Sequence, residues 1–138
     1  MANFSGSYAG RAESQSVLIV SDVPDHTLAL SIVSAVQNCT DPLWNGAVCS
    51  YCGTTDTVAG QGTQSGYYVN KRAGGDQDQG TFEGRVVTNG GETTVEGTWK
   101  STGGTGKFSN VSANGTFKVR NTSATDVEVV WSGTHNLS

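Results

Sequence analysis

A chain of 138 residues is the length of one domain and can bury a core without disulfide or metal staples. It is 35% hydrophobic and 14% charged, with 19 glycines against 2 prolines, which fits many short strands joined by glycine turns and excludes a charge-rich disordered chain. A net charge of −4, with Lys71-Arg72 the only adjacent basic pair, excludes the cation clusters that nucleic-acid phosphates require, and no run approaches the roughly 18 apolar residues of a membrane-spanning helix.

Met1-Ala2-Asn3-Phe4-Ser5-Gly6 has neither the basic nor the apolar region of a secretory leader, so a cytoplasmic location is expected. Phe4 to Arg11 alternates with period two, placing Phe4, Gly6, Tyr8 and Gly10 on one strand face. Val17-Leu18-Ile19-Val20 is a short apolar run closed by the turn signal Asp22-Val23-Pro24-Asp25. From His26 to Gln37 alternation returns, with Leu28, Leu30 and Ile32 pointing one way and Thr27, Ala29, Ser31 and Val33 the other. The Ala and Leu content permits a helix there, but Thr27, Ile32, Val33 and Val36 are β-branched and favour a strand.

Residues 38–62 are the least regular part of the chain, opening with a 38–46 loop that carries Trp44, a ring expected to pack on a rim or on a bound ligand. Cys49-Ser50-Tyr51-Cys52 has C-x-x-C spacing, yet it lies in a strand-like run and not at the helix start that activates redox pairs. A zinc site would need further ligands, and only His26 and His135 are available. Cys39, Cys49 and Cys52 therefore read as thiols behaving as small hydrophobes, and neither a metal nor any other cofactor is expected.

Gly66-Tyr67-Tyr68-Val69-Asn70 reads as a strand in which one of the two tyrosines must face inward, followed by a polar turn over 73–80. Thr81–Thr88 and Thr93–Lys100, joined by Asn89-Gly90-Gly91, form the clearest hairpin, with Asn-Gly expected to supply the positive φ of the turn. Strands over Thr116–Arg120 and Val127–His135 close the chain. Seven or eight strands at even spacing predict an all-β fold, a single antiparallel barrel of about eight strands spanning residues 1–138.

Gly103-Gly104-Thr105-Gly106-Lys107 has the look of a phosphate loop but fails as one. Ser101 stands where the first glycine belongs, Phe108 replaces the Mg-binding hydroxyl, and no helix pattern follows. The run Gly97-Thr98-Trp99, then Gly103 to Phe108, then Gly115-Thr116-Phe117 resembles proteins with the allene oxide cyclase-like barrel, a group that includes dirigent proteins. The match covers about residues 80–135, and Asn114 departs from it where that group commonly carries a further glycine. The resemblance implies an eight-stranded barrel whose lumen holds an apolar small molecule. Its enzymatic members steer a reactive intermediate with shape and a few buried polar groups. Glu13 and Cys49 or Cys52 are the positions to compare with their acidic and cysteine residues.

A barrel of this size has room inside for side chains or one small ligand. The expected function is a cofactor-independent isomerase, cyclase or lyase that uses the lumen as a templating pocket. Tyr68 or Tyr51, paired with Glu83 or a histidine such as His26, is the candidate acid/base pair. Trp99, Phe117 and Trp131, with Trp44 and Cys49, form the candidate substrate wall. Register decides the matter: if Phe82, Gly84 and Val86 line the lumen, Glu83 and Arg85 are surface charges. His26 and His135 both fall near strand ends, where a solvated histidine is ordinary. The alternatives are a non-catalytic binding barrel for an apolar small ligand, or a lectin-like module suggested by the Ser/Thr/Asn-rich exterior. Val17–Val20 and Leu28–Ile32 carry more aliphatic residues than one lumen wall needs, so a homo-oligomer, dimer or trimer, is expected.

Overall fold

Period-two alternation governs nearly the whole chain. The computed structural model describes residues 1–138 and contains β1 (Ala2–Ile19), β2 (His26–Val36), the two-residue β3 (Asn38–Cys39), β4 (Val48–Val58), β5 (Gln61–Lys71), β6 (Gln77–Asn89), β7 (Glu92–Gly104), β8 (Ser112–Asn121) and β9 (Asp126–Asn136). A single 3-10 turn, Gly106–Phe108, sits between β7 and β8. Neighbours pair in the order β2-β4-β5-β6-β7-β8-β9-β1, and the β1–β2 pairing closes the ring, giving an eight-stranded antiparallel barrel. The all-β barrel expected from the turn spacing is the fold observed. No helix is long and apolar enough to cross a membrane.

Two details depart from expectation. Residues 48–58 and 61–71 are regular eleven-residue strands and not an irregular region. Their inward residues (Tyr51, Gly53, Thr55, Gln64, Gly66) and outward ones (Ser50, Thr54, Ser65) differ too little in polarity for alternation to stand out. In the β6–β7 hairpin the positive φ values belong to Gly90 (62°) and Gly91 (83°), with Asn89 still paired to Glu92 in the ladder. Ala59 and Gly60 make the equivalent two-residue turn between β4 and β5.

β1 is shared between two neighbours. Ala2–Arg11 pairs with β9 and Arg11–Ile19 with β2, and a bulge between Ala12 and Ser14 leaves Glu13 unpaired and exposed. In the lumen, Val129, Val119, Val95 and Val86 form one row of cross-strand partners, which with Val33 and Val127 makes a buried floor. Phe4, Trp44, Phe108 and Ala113 form a second buried cluster at the opposite end, where the 37–47 loop and the 3-10 turn fold over the opening as a lid.

Inward-facing glycines make this interior possible. A Cβ on Gly66 would lie 1.9 Å from the Cys52 carbonyl oxygen, and one on Gly115 would lie 1.9 Å from that of Ser132, because adjacent backbones press together at the bends of the barrel. Gly6 instead lies beneath a ring, its Cβ position 2.5 Å from Trp131, while Gly80 and Gly133 meet both a backbone and a ring, 2.1 Å from the Lys100 oxygen and 2.5 Å from Tyr68, and 2.2 Å from the Asn114 oxygen and 2.7 Å from Trp99. Gly74, in an exposed turn, has nothing within 4 Å. Gly66→Ala and Gly115→Ala are expected to lose about 2–3 kcal/mol each by overpacking, while Gly74→Ala stays within ±0.5 kcal/mol or so. Urea-denaturation midpoints on the three variants check this, and equal midpoints would mean the barrel bends are not glycine-dependent.

Candidate functional site

Between the valine floor and the aromatic lid lies a cavity of about 80 Å³. Seven of the eight barrel strands and the 37–47 loop contribute to its walls. On one side the wall is aromatic, with rings meeting mostly edge to face: Phe82 on Phe117 at 5.8 Å, Tyr51 on Phe82 at 5.5 Å, Trp99 on Trp131 at 5.6 Å and Phe4 on Trp131 at 4.8 Å.

The other side is polar and is built by register. Cys49, Asn70 and Asp78 are direct cross-strand partners on β4, β5 and β6, all pointing inward. Asp78 Oδ2 accepts hydrogen bonds from Asn70 Nδ2 and Trp44 Nε1, each at 3.2 Å. Gln37 donates to Asn70 Oδ1 at 3.2 Å and accepts from Trp131 Nε1 at 2.9 Å. Arg72 Nη1 lies 2.8 Å from Asp78 Oδ1, an ion pair by distance although not aligned as a hydrogen bond. The same guanidinium donates from Nε to the Leu43 carbonyl at 2.6 Å and stacks 3.8 Å above the Phe108 ring. Arg72 thereby clasps β6 to both lid segments. A second clasp is His135, packed between Phe4 and Trp44, with Nε2 2.7 Å from Asp41 Oδ2.

Burial pushes the phenols of Tyr8, Tyr51 and Tyr68 well above the ordinary tyrosine range, and pushes the Cys49 thiol up to about 12. At neutral pH all four keep their protons, so they offer hydrogen-bond donors and neither a base nor a thiolate. The Tyr68 hydroxyl, on the cavity wall, is buried with no partner.

Seven of the residues singled out in the sequence, Tyr51, Tyr68, Trp99, Phe117, Trp131, Trp44 and Cys49, come together around this cavity. Glu83 and His26 do not join them. Because Phe82, Gly84 and Val86 face inward, Glu83 projects from the outer wall. His26 stands at the far end of the barrel from the lid, its Nδ1 2.6 Å from Asp22 and its Nε2 2.6 Å from Asp56. Glu13 is also outside, in the bulge of β1. Three-residue spacing on a strand sends Cys49 inward and Cys52 outward, so the C-x-x-C pair cannot share a ligand. His135 is buried and not solvated as its place near a strand end implied. The polar residues Asp78, Asn70, Gln37, Arg72 and Tyr8 were missed as site residues. For Asp78 a signal existed: the Val86, Gly84, Phe82 alternation, continued backward through Gly80, places it inside, but the polar run 73–80 reads as a solvated turn. No protein-family model, curated protein or solved structure matches the chain.

The His26 clamp gives a pH prediction. Its hydrogen bonds to Asp22 and then Asp56 raise the His26 pKa, and the bond to His26 holds Asp22 below the usual carboxylate range. Asp25, in the same turn, is the remaining charge near it. A raised folded-state pKa contributes stability that is complete below the unfolded value of about 6.5 and is lost as pH rises through the folded value. The depressed Asp22 sets the acid edge, its share being lost as pH falls below about 4. Wild type should therefore exceed His26→Gln in stability by more at pH 5.5 than at pH 8.5, and His26 should titrate above 6.5 by NMR. A pH-independent difference between the two proteins would refute the clamp.

Proposed function

We propose that the protein is a binding barrel that holds a compact, neutral, largely apolar molecule with one hydrogen-bond acceptor in its lumen. The observation that carries this is the Tyr68 hydroxyl, a buried donor without a protein partner on the wall of an aromatic cavity. An unsatisfied buried hydroxyl costs about 1–3 kcal/mol, and an acceptor oxygen on a ligand removes that cost. The edge-to-face rings supply the apolar contact. Charge argues for neutrality: Asp78 lines the same cavity, and the one cation beside it, Arg72, is already engaged with Asp78 and the lid. The volume, about 80 Å³, is roughly half of the ~150 Å³ that admits benzene in an engineered protein cavity. A ring-sized ligand therefore requires the Trp44–Phe108 lid to yield.

The isomerase, cyclase or lyase reading has less support. Efficient general acid–base groups titrate near the working pH, whereas Tyr51, Tyr68 and Cys49 are pushed far above it and Glu83 and His26 lie outside the lumen. What such an enzyme would retain here is templating by shape. The resemblance of residues 80–135 to allene oxide cyclase-like barrels supports the lumen as the site under either reading. Three free thiols suit a reducing compartment such as the cytoplasm.

Trp44, Trp99 and Trp131 line the cavity, so their fluorescence reports its occupancy. Titration with single-ring ketones should change the emission, and the matched carboxylates should bind at least about tenfold more weakly. Tyr68→Phe should weaken ketone binding about 3–10-fold, the loss of one hydrogen bond, without destabilising the empty protein. Equal affinity for ketone and carboxylate, or indifference to Tyr68→Phe, would overturn the proposal, and turnover of an added compound would restore the catalytic reading.

A further inference from the structure

We propose that the molecule held in the lumen carries a neutral hydrogen-bond donor directly beside its acceptor, as a cyclic secondary amide does, and bridges the Tyr68 hydroxyl to the Asp78 carboxylate. This rests on the reading of the protein as a small-molecule binding barrel and narrows the class of its ligand. Two buried polar atoms of opposite sense line the same cavity without a hydrogen bond: the Tyr68 hydroxyl, which offers a donor, and Asp78 Oδ1, which offers an acceptor. They do not satisfy each other.

The carboxylate has capacity left. An ionised carboxylate offers about four lone-pair sites, and Asn70 Nδ2 and Trp44 Nε1 occupy two of them, both on Oδ2. Arg72 Nη1 comes within 2.8 Å of Oδ1 and balances its charge, but out of line for a hydrogen bond. Asn70 and Gln37, the other polar groups on this wall, are engaged at both ends of their amides and do not compete for a ligand. Arg72 also sets the kind of donor. With a guanidinium already at contact, a second cation would meet like charge, so the fitting donor is an uncharged N–H.

Register fixes the spacing. Tyr68 and Asn70 are successive inward residues of β5, facing Gly80 and Asp78 across the ladder with β6. The phenol lies over Gly80, whose absent Cβ would stand 2.5 Å from the hydroxyl oxygen. The hydroxyl is thus one inward step from Asp78, about 7 Å along the strand. Two hydrogen bonds of about 2.8 Å each nearly fill such a span, which leaves room between them only for an acceptor and a donor on neighbouring groups. The C=O and N–H of a lactam edge have that spacing. A ketone reaches Tyr68 alone and seals Oδ1 from water without giving it a hydrogen bond. Burial is the main cause that pushes the Tyr68 phenol up, and the Asp78 charge adds to it, in keeping with two groups that face one space.

Tryptophan-fluorescence titration of the full chain with a six-membered lactam, its N-methyl derivative and cyclohexanone tests the proposal. The lactam should bind about tenfold tighter, or more, than either comparison ring, the advantage of one hydrogen bond to a charged group. In Asp78→Asn, which removes the charge of the acceptor, that ratio should fall to about threefold or less. The ratio compares ligands on the same protein, so a general loosening of the lid in the variant cancels. A lactam that binds no tighter than cyclohexanone, with Tyr68→Phe still weakening both, overturns the proposal and leaves a binding barrel for a ligand with an acceptor alone. A lactam preference that Asp78→Asn leaves undiminished also overturns it and moves the acceptor elsewhere in the lumen. If none of these rings binds, the binding-barrel reading falls together with the proposal.

Discussion

The structure depends on the pairing of large rings with inward glycines. An eight-stranded barrel has an interior just wide enough for side chains from all its strands, and this one must accommodate Trp99, Trp131, Phe82, Phe117, Tyr51 and Tyr68 together. It does so by leaving Cβ out of the positions beneath them. Trp131 lies over its own cross-strand partner Gly6, Tyr68 over its partner Gly80, and Trp99 reaches past Gly115 to Gly133. The same glycines let the strands bend sharply enough to close the ring. The glycine content is thus a packing requirement of the lumen as well as a source of turns, and the cavity is the space that remains where rings meet edge to face.

That arrangement explains which parts could be read from residues alone. Alternation of Phe82, Gly84 and Val86 against Glu83 and Arg85 settles one strand, and Val95, Gly97 and Trp99 settle the next, so the aromatic wall was legible. β4 and β5 were not, because an interior face built from Gly, Thr and Gln looks much like an exterior face built from Ser and Thr. Their inward placement comes from pairing with better-marked strands, a tertiary constraint that local pattern does not carry. The lid was illegible for a different reason. Trp44, Phe108 and His135 lie far apart along the chain, and each acquires its role only through Asp78, Arg72 or Asp41.

His26 and Glu83 show the same limit from the other side. As residue types they were reasonable partners for a buried tyrosine, since a carboxylate and an imidazole are the usual proton acceptors near neutral pH. Glu83 is excluded by parity, one residue from Phe82 on a strand whose inner face is fixed by Phe82 and Val86. His26 is excluded by position, since β2 begins at the end of the barrel opposite the lid and the valine floor lies between. The groups that did reach the cavity share a property no residue type predicts. Burial fixes Tyr8, Tyr51, Tyr68 and Cys49 in their protonated forms, so the lumen presents donors.

The polar wall of the cavity and the lid are one hydrogen-bonded assembly, which couples occupancy to opening. Asp78 accepts from Trp44 in the lid loop and from Asn70 in the wall, and Gln37 at the root of that loop joins Asn70 to Trp131. Moving Trp44 outward would leave Asp78 with Asn70 and Arg72, still paired and not abandoned as an isolated buried charge. The most expensive consequence of opening, an uncompensated buried carboxylate, is thereby avoided. Arg72 to the Leu43 carbonyl and Asp41 to His135 are further ties on the loop, and the Asp41–His135 contact lies outside the Asp78 network. Separate ties, of which the Trp44–Asp78 bond leaves a paired charge behind when broken, make a lid that can move while the barrel beneath it keeps its shape.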